Sequence, residues 1–252
     1  MDRAIDVLEH LAQGGWSGVT DIGQALGVHK STAFRLLSTL EARGLVEQHV
    51  DSGKYHVGFA LVHLARGVTV GPDVTRHAHP SCRWLADETG ESVTLAVLEG
   101  DEAVTIDQLI PDDASVVSRS WLGRRTPLHA TSNGKVFLAW LPDSRRAALV
   151  NGVHEAYTPR TIIDALALAE EITEVRRRGW AAAVDELEEG LTSIAAPVRA
   201  ADGTVIASVS VSGPSYRMEG PVVEEFGELV RRASAEISLR FGWSGVAEGA
   251  LT

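Results

Sequence analysis

Residues 20–42, TDIGQALGVHKSTAFRLLSTLEA, hold two helical patterns separated by a glycine, and their reading decides how the first quarter of the chain folds. Ile22, Ala25 and Leu26 form a short apolar side. Thr20 or Asp21 is placed to cap it, with Gln24 three residues after Asp21 as a capping box requires. Gly27 stops this helix. From about His29 to Ala42 a second pattern sets Ala33, Leu36, Leu37 and Leu40 on one stripe, and Gly44 closes it. Two short helices around a tight turn make a helix-turn-helix, whose second helix is presented to the major groove of DNA. At 100° per residue the face opposite the leucines carries Ser31, Arg35 and Ser38, flanked by Lys30 and Phe34.

On the N-terminal side, Ile5, Leu8, Leu11 and Ala12 recur at helical spacing over residues 2–13, and Gly14-Gly15 ends the pattern. On the C-terminal side, residues 45–49 and 54–57 alternate around Asp51-Ser52-Gly53, which reads as a hairpin wing. An apolar helical pattern over 59–68 predicts a linker helix. Beyond it a helix is expected at 73–89, then strands at 92–99, 102–110 and 114–121, helices at 132–140, 143–150 and 164–178, strands at 180–184, 193–199 and 204–212, and a last helix at 222–241. Strands in hairpins interleaved with helices predict an α+β class, an antiparallel sheet covered by helices. The expected division is a winged helix-turn-helix at 1–58, a linker at 59–72 and an effector-binding and oligomerisation domain at 73–252.

The 252 residues are 44% hydrophobic and 23% charged, too apolar for disorder. The net charge of -11 argues against nucleic acid, but its distribution matters more. Residues 1–60 hold five basic against seven acidic side chains, and the remainder 18 against 27. Two of the three lysines, Lys30 and Lys54, fall on the helix and the wing that would meet DNA. No run is long enough to span a membrane and the start lacks a signal peptide's apolar stretch, so a cytoplasmic protein is expected. Cys82 is the only cysteine, which excludes an intrachain disulfide and a thiolate zinc cluster and leaves it as a small buried residue.

Arg35 and Lys30 can bridge phosphates or reach guanine, Ser31 and Thr32 can donate to phosphate, and Lys54 and His49 are phosphate candidates on the wing. Each has a plainer reading as a solvated face or a helix cap. Phe34 reads as a partly buried packing residue. The expected DNA-contact set is His29, Lys30, Ser31, Thr32, Phe34, Arg35, Ser38 and Lys54. In the C-terminal part, Thr131-Ser132-Asn133-Gly134 begins a helix whose free N–H groups favour a carboxylate, with Ser132 and Asn133 as extra donors or simply as caps. Ser193, Ser210 and Ser212 come from neighbouring strands, the last two on one face. Trp121 and Leu191 would supply an apolar wall, although Trp121 suits a core equally. A small-molecule hydrolase is the rival reading, yet Gly-x-Ser-x-Gly, His-Glu-x-x-His and a phosphate loop are absent from the sequence. A ligand-free interaction module is a third. No catalytic residue, metal site or cofactor is assigned.

Gly27-Val28-His29-Lys30-Ser31-Thr32-Ala33-Phe34-Arg35-Leu36-Leu37, Glu41-Ala42-Arg43-Gly44-Leu45-Val46 and Gly53-Lys54-Tyr55-His56-Val57-Gly58 together resemble the IclR family of bacterial transcription regulators. The resemblance continues, in the family's order, through residues 85–91, 123–131, 195–198 and 210–214. It implies a winged helix-turn-helix repressor-type regulator with a GAF-like effector domain, assembled as dimers or dimers of dimers on operator DNA. Carried over, the effector pocket falls near Thr126, Ser132, Asn133, Leu191, Ser193, Ser210 and Ser212, with Asp185 as its acidic contact. Ala183 and Val184 depart from the family's acidic pair, and Ser193 stands where a cysteine is common. An organic or aromatic acid, or a close derivative, is the expected effector.

Arg35→Ala should abolish specific operator binding while leaving the fold intact, because losing one base or phosphate contact costs about 1–3 kcal/mol per half-site. A gel shift at moderate salt checks this, and unchanged binding would remove Arg35 from the interface.

Overall fold

In the computed structural model, which describes residues 2–65, 71–111 and 120–245, Ala33, Leu37 and Leu40 of the opening stretch are buried as their spacing requires, with Leu36 half-buried beside them. Helix α1 (Asp2–Gly14) precedes α2 (Val19–Ala25) and α3 (Lys30–Glu41). Strands β1 (Val46–Gln48) and β2 (Tyr55–Val57) pair antiparallel with Val46 opposite Val57, and α4 (Ala60–Ala65) follows. Val7, Leu11, Ile22, Ala33, Leu37, Leu40, Val46 and Tyr55 form one core. A bridge from Ser17 to Tyr55 ties the α1–α2 connection to the hairpin.

Three expectations shift here. The buried stripe of α1 runs through Val7 and Leu11 with Ala4 and Leu8 beside them, whereas Ile5 and Ala12 are exposed. Both stripes have helical spacing, and packing on α3 and β2 selects between them. Helix α2 is capped at Gly18, and Asp21 reaches back to accept from the Gly18 N–H at 3.3 Å; Ala25 is exposed. The linker helix is described only over Ala60–Ala65, and residues 66–70 lie outside the described residues.

By contact density the chain divides into Met1–Thr69 and Val70–Thr252. The second unit begins with α5 (Gly71–Thr89), followed by β3 (Ser92–Glu99), β4 (Glu102–Leu109) and β5 (Arg125–Pro127). Next come α6 (Ser132–Trp140), α7 (Asp143–Val150) and α8 (Ala165–Arg178). Strands β6 (Ala181–Val184), β7 (Leu191–Arg199) and β8 (Val205–Pro214) lead to α9 (Pro221–Arg240). The six strands form one antiparallel sheet in the order β5-β4-β3-β8-β7-β6. The strand expected at 114–121 falls mostly on residues 112–119, outside the described set; Trp121 is irregular, and the short β5 follows it. No helix among the described residues is long and apolar enough to cross a membrane.

Alternation along the strands decides what each sheet face becomes. One face presents Val93 and Leu95 from β3, Ile194, Ala196 and Val198 from β7, and Ala207, Val209 and Val211 from β8, clustered with residues of α5 and α9. Cys82 lies in this cluster, where burial pushes its thiol up to about 12 and makes it a hydrocarbon-like filler. The opposite face is small and polar. Ala96, Ala103, Ala181 and Ala195 let α6 and α8 pack closely, while Thr94, Ser193, Ser210 and Ser212 leave a hydroxyl-rich patch at the start of α6. Strand pairing sets Thr94 directly opposite Ser210, and Ser212 opposite Ser193.

Helix α6 can start there only because residue 134 has no side chain. A Cβ on Gly134 would sit 2.3 Å from Leu128 Cα and 2.4 Å from its carbonyl oxygen. Both obstacles are backbone, so Gly134→Ala should destabilise the second unit by about 3 kcal/mol, the upper end of overpacking costs. Chemical denaturation checks this, and wild-type stability would show that the segment before α6 yields.

Candidate functional site

On α3 the buried residues Ala33, Leu37 and Leu40 leave Ser31, Phe34, Arg35 and Ser38 as one outward strip at spacings of three and four. Lys30, Ser31, Thr32, Phe34 and Arg35 are exposed and Ser38 is half-buried. His29 is the N-cap: its Nδ1 accepts from the Ser31 N–H at 3.4 Å and lies 2.9 Å from Ser31 Oγ. Phe34 is 53% exposed, which corrects its reading as a packing residue. The leucine stripe already fills the contact with α2, so nothing buries position 34. On the wing, Lys54 is exposed, and His49 Nδ1 accepts from the Ser52 N–H at 3.3 Å while its ring meets the edge of Trp16.

In the second unit, a cavity of about 40 Å³ lies between the start of α6 and the hydroxyl-rich sheet face. Its lining includes Trp121, Thr126, Ser132, Asn133, Leu191, Ser193 and Ser212, brought together from five separate segments. Thr131, expected as part of the helix start, also lines it, and so do Thr94, Thr105 and Leu187, which were missed in the sequence. Threonine is an ordinary strand residue, so Thr94 and Thr105 carried no signal of a site. Ser210 sits behind the wall: it lies 2.7 Å from Thr94 Oγ1 and accepts from Asn133 Nδ2 at 3.1 Å. Ser132 donates to Ser193 Oγ at 2.9 Å. Thr131 is the N-cap of α6, accepting from the Gly134 N–H at 3.1 Å. The N–H groups of Ser132 and Asn133, at the first two helical positions, have no intrahelical acceptor because of where they stand. Among the described residues, no lysine, arginine, histidine, aspartate or glutamate lines it.

Asp185 is placed outside the cavity. Its backbone is left-handed (φ 56°), and its Oδ1 accepts from the Gly190 N–H at 2.8 Å and from Ser215 Oγ at 2.5 Å. It therefore shapes the 185–190 loop, with its carboxylate already engaged. The neighbouring acid is tied to α6. Lys135, 1% exposed, donates to Glu186 Oε1 at 2.6 Å and to the Ala182 carbonyl at 3.0 Å, with Glu171 Oε1 3.7 Å away. Burial raises the Glu186 carboxyl above its ordinary range even though Lys135 pulls the other way. Asp185 and Glu186 are thus both engaged within the protein, and their loop brings Leu187 to the cavity.

His129 is nearly buried, stacked at 4.6 Å on His154, with Nε2 2.9 Å from the Glu155 carbonyl. Burial holds its imidazole below the usual value. A larger groove of about 640 Å³ lies elsewhere on this unit, where Arg199 stacks on Trp140 and Trp243. It contains none of the expected site residues.

The model of the IclR helix-turn-helix domain matches residues 1–49, and that of the bacterial transcriptional regulator IclR C-terminal matches residues 67–239. The chain is 32% identical over 245 residues to the HTH-type transcriptional regulator XynR of Escherichia coli, spanning 96% of this chain and 97% of that one. The HTH-type transcriptional repressor AllR of Escherichia coli is 34% identical over 246 residues, covering 96% and 90%. Among solved structures, the IclR of Thermotoga maritima superposes with a TM-score of 0.81 at 27% identity, over 96% of this chain and 98% of that one. An IclR homolog complexed with 4-hydroxybenzoate from Microbacterium hydrocarbonoxydans gives 0.81 at 28% identity, over 95% and 97%. The curated relatives named here are transcription regulators, not enzymes.

Breaking the buried Lys135–Glu186 pair has a definite cost. Glu186→Leu leaves Lys135 without its nearest countercharge and should lower stability by about 3–5 kcal/mol, whereas Lys135→Met with Glu186→Leu should recover most of it. Denaturation of the single and double variants checks the coupling; strictly additive losses would show that the two side chains do not depend on each other.

Proposed function

The chain belongs to the IclR family of bacterial transcription regulators, and on that premise we propose how its residues divide the work of an effector-controlled, DNA-binding regulator. Helix α3 enters the major groove. Arg35 and Lys30 take guanine edges or phosphates, Ser31, Thr32 and Ser38 take the backbone, Phe34 meets a thymine methyl, His29 orders the helix start, and Lys54 holds a phosphate from the wing. What supports this is the strip of exposed Ser31, Phe34 and Arg35 with half-buried Ser38, opposite buried Ala33, Leu37 and Leu40. With five basic side chains among its first 60 residues, one reading head is too weakly charged for tight binding alone. The active species is therefore a dimer or a dimer of dimers on a site of pseudo-twofold symmetry. Residues 1–58 read DNA, 59–72 link, and 73–252 sense and assemble. We place the protein in the cytoplasm with the DNA it reads.

The effector, an organic or aromatic acid, occupies the cavity between the start of α6 and the serines of β7 and β8. The observation that carries this is the meeting of a helix N-terminus with a wall of hydroxyls in a cavity whose described lining residues carry no charge. A carboxylate there gains fixed N–H donors and the positive end of the helix without an arginine. At about 40 Å³ the cavity has room for one or two waters, so entry of an acid displaces the segment carrying Leu187 and Leu191. That displacement is the event an operator-affinity change can be linked to. A relative of the same fold is known in complex with 4-hydroxybenzoate, an acid of this class.

Asn133→Leu and Ser212→Val should each weaken effector binding about tenfold or more, the scale of a lost charge-assisted hydrogen bond, with operator affinity in the absence of effector unchanged. Calorimetry and gel shifts on the protein's own upstream DNA, with and without candidate acids, check both halves. Wild-type effector affinity in both variants would place the pocket elsewhere.

A further inference from the structure

The polar atoms around the cavity are unequally satisfied. Thr131 donates to the Pro127 carbonyl and accepts from Gly134 N–H, Thr126 donates to the Ala103 carbonyl, and Thr94 and Ser210 share one bond. These groups are committed. Asn133 spends its amide N–H on Ser210, and its Oδ1 is a buried acceptor without a hydrogen-bond partner among the described residues. The hydroxyls of Thr105 and Ser212, both in the lining, have no protein partner among the described residues either. A buried carbonyl oxygen without a donor is costly, and an acid without O–H or N–H groups leaves it so. Among the described residues, the lining offers no cationic side chain to a second carboxylate.

We propose that the effector is a hydroxylated monocarboxylate: its carboxylate lies on the Ser132 and Asn133 N–H groups, and one of its hydroxyls donates to Asn133 Oδ1. Further hydroxyls exchange hydrogen bonds with Thr105 and Ser212. This rests on the cavity being the effector site, as argued above. It adds that Asn133 Oδ1 sets specificity, because a site built around a ligand hydroxyl rejects the analogue lacking it far more strongly than a site built on shape alone.

The test is calorimetry of the full chain against four matched pairs: glycolate and acetate, glycerate and propanoate, gluconate and hexanoate, 4-hydroxybenzoate and benzoate. In at least one pair the hydroxylated acid should bind tenfold or more tightly than its partner. Asn133→Leu should bring that ratio close to one, and the near-isosteric Thr105→Val and Ser212→Ala should reduce it several-fold. Thermal melts on each variant verify folding. Equal affinities within every pair, with both members weakened by the cavity variants, would overturn the hydroxyl requirement and keep the site. A tenfold preference that survives all three variants would overturn the inference together with the site. Binding of neither member of any pair at millimolar concentration would overturn the hydroxylated monocarboxylate as the effector, and a dicarboxylate binding more tightly than every monocarboxylate would overturn the charge argument.

Discussion

The tie between the first turn of α6 and the hydroxyl-bearing face of the sheet is the constraint on which the sensing unit depends. Ser132 bonds to Ser193 on β7, and Asn133 to Ser210 on β8, which is bonded in turn to Thr94 on β3. Three adjacent strands are thereby registered against one helix end. An all-apolar face at these positions would pack α6 more simply and leave no place for a polar molecule. Serine and threonine there substitute hydrogen bonds for part of the hydrophobic contact, and they leave several polar valences open to a ligand.

One turn further along, Lys135 carries the same helix to the 185–190 loop. Its ammonium is almost wholly buried and meets Glu186 at 2.6 Å, so the loop cannot drift from α6 without exposing one charge or stranding the other. The adjacent Asp185 closes the loop, its Oδ1 accepting from the Gly190 N–H at the far end and from Ser215 Oγ. Fixed at both ends, the loop brings one apolar side chain, Leu187, over the cavity. Its glutamate, raised by burial, is poised against the lysine rather than against solvent. At the proposed site, an acid at the N-terminus of α6 would act on the helix whose next turn anchors the loop.

Much of this was legible in the residues. The leucine stripe of α3, the glycines that bound it and the alternating hairpin after it leave one way to fold the N-terminal unit, and the strip opposite the leucines follows by geometry. Ser132 and Asn133 were legible as a helix start, and Ser210 and Ser212 as one strand face, because these are local features; that they meet Ser193 in one cluster came from the family resemblance. What was hidden depends on tertiary packing. Ile5 and Val7 lie on overlapping helical stripes, and only the neighbours of α1 choose between them. Phe34 looks like core by type, and its exposure follows from the leucines having filled the contact. Asp185 is acidic and near the pocket in sequence, but with its left-handed backbone its carboxylate accepts from the Gly190 N–H and the Ser215 hydroxyl. Lys135 looks like a surface lysine until the small residues of β6 and β7 let α6 sit low enough to bury it.

The central claim is that an anion is held by backbone N–H groups at the start of α6 and a hydroxyl by Asn133. A crystal structure of the protein with the tightest-binding hydroxylated acid tests it most directly. The account predicts a carboxylate oxygen within about 3.1 Å of the Ser132 or Asn133 nitrogen, a ligand hydroxyl at similar distance from Asn133 Oδ1, and a displaced Leu187. The acid bound instead in the groove beside Trp140, Arg199 and Trp243, with the α6 cavity unchanged, would contradict it.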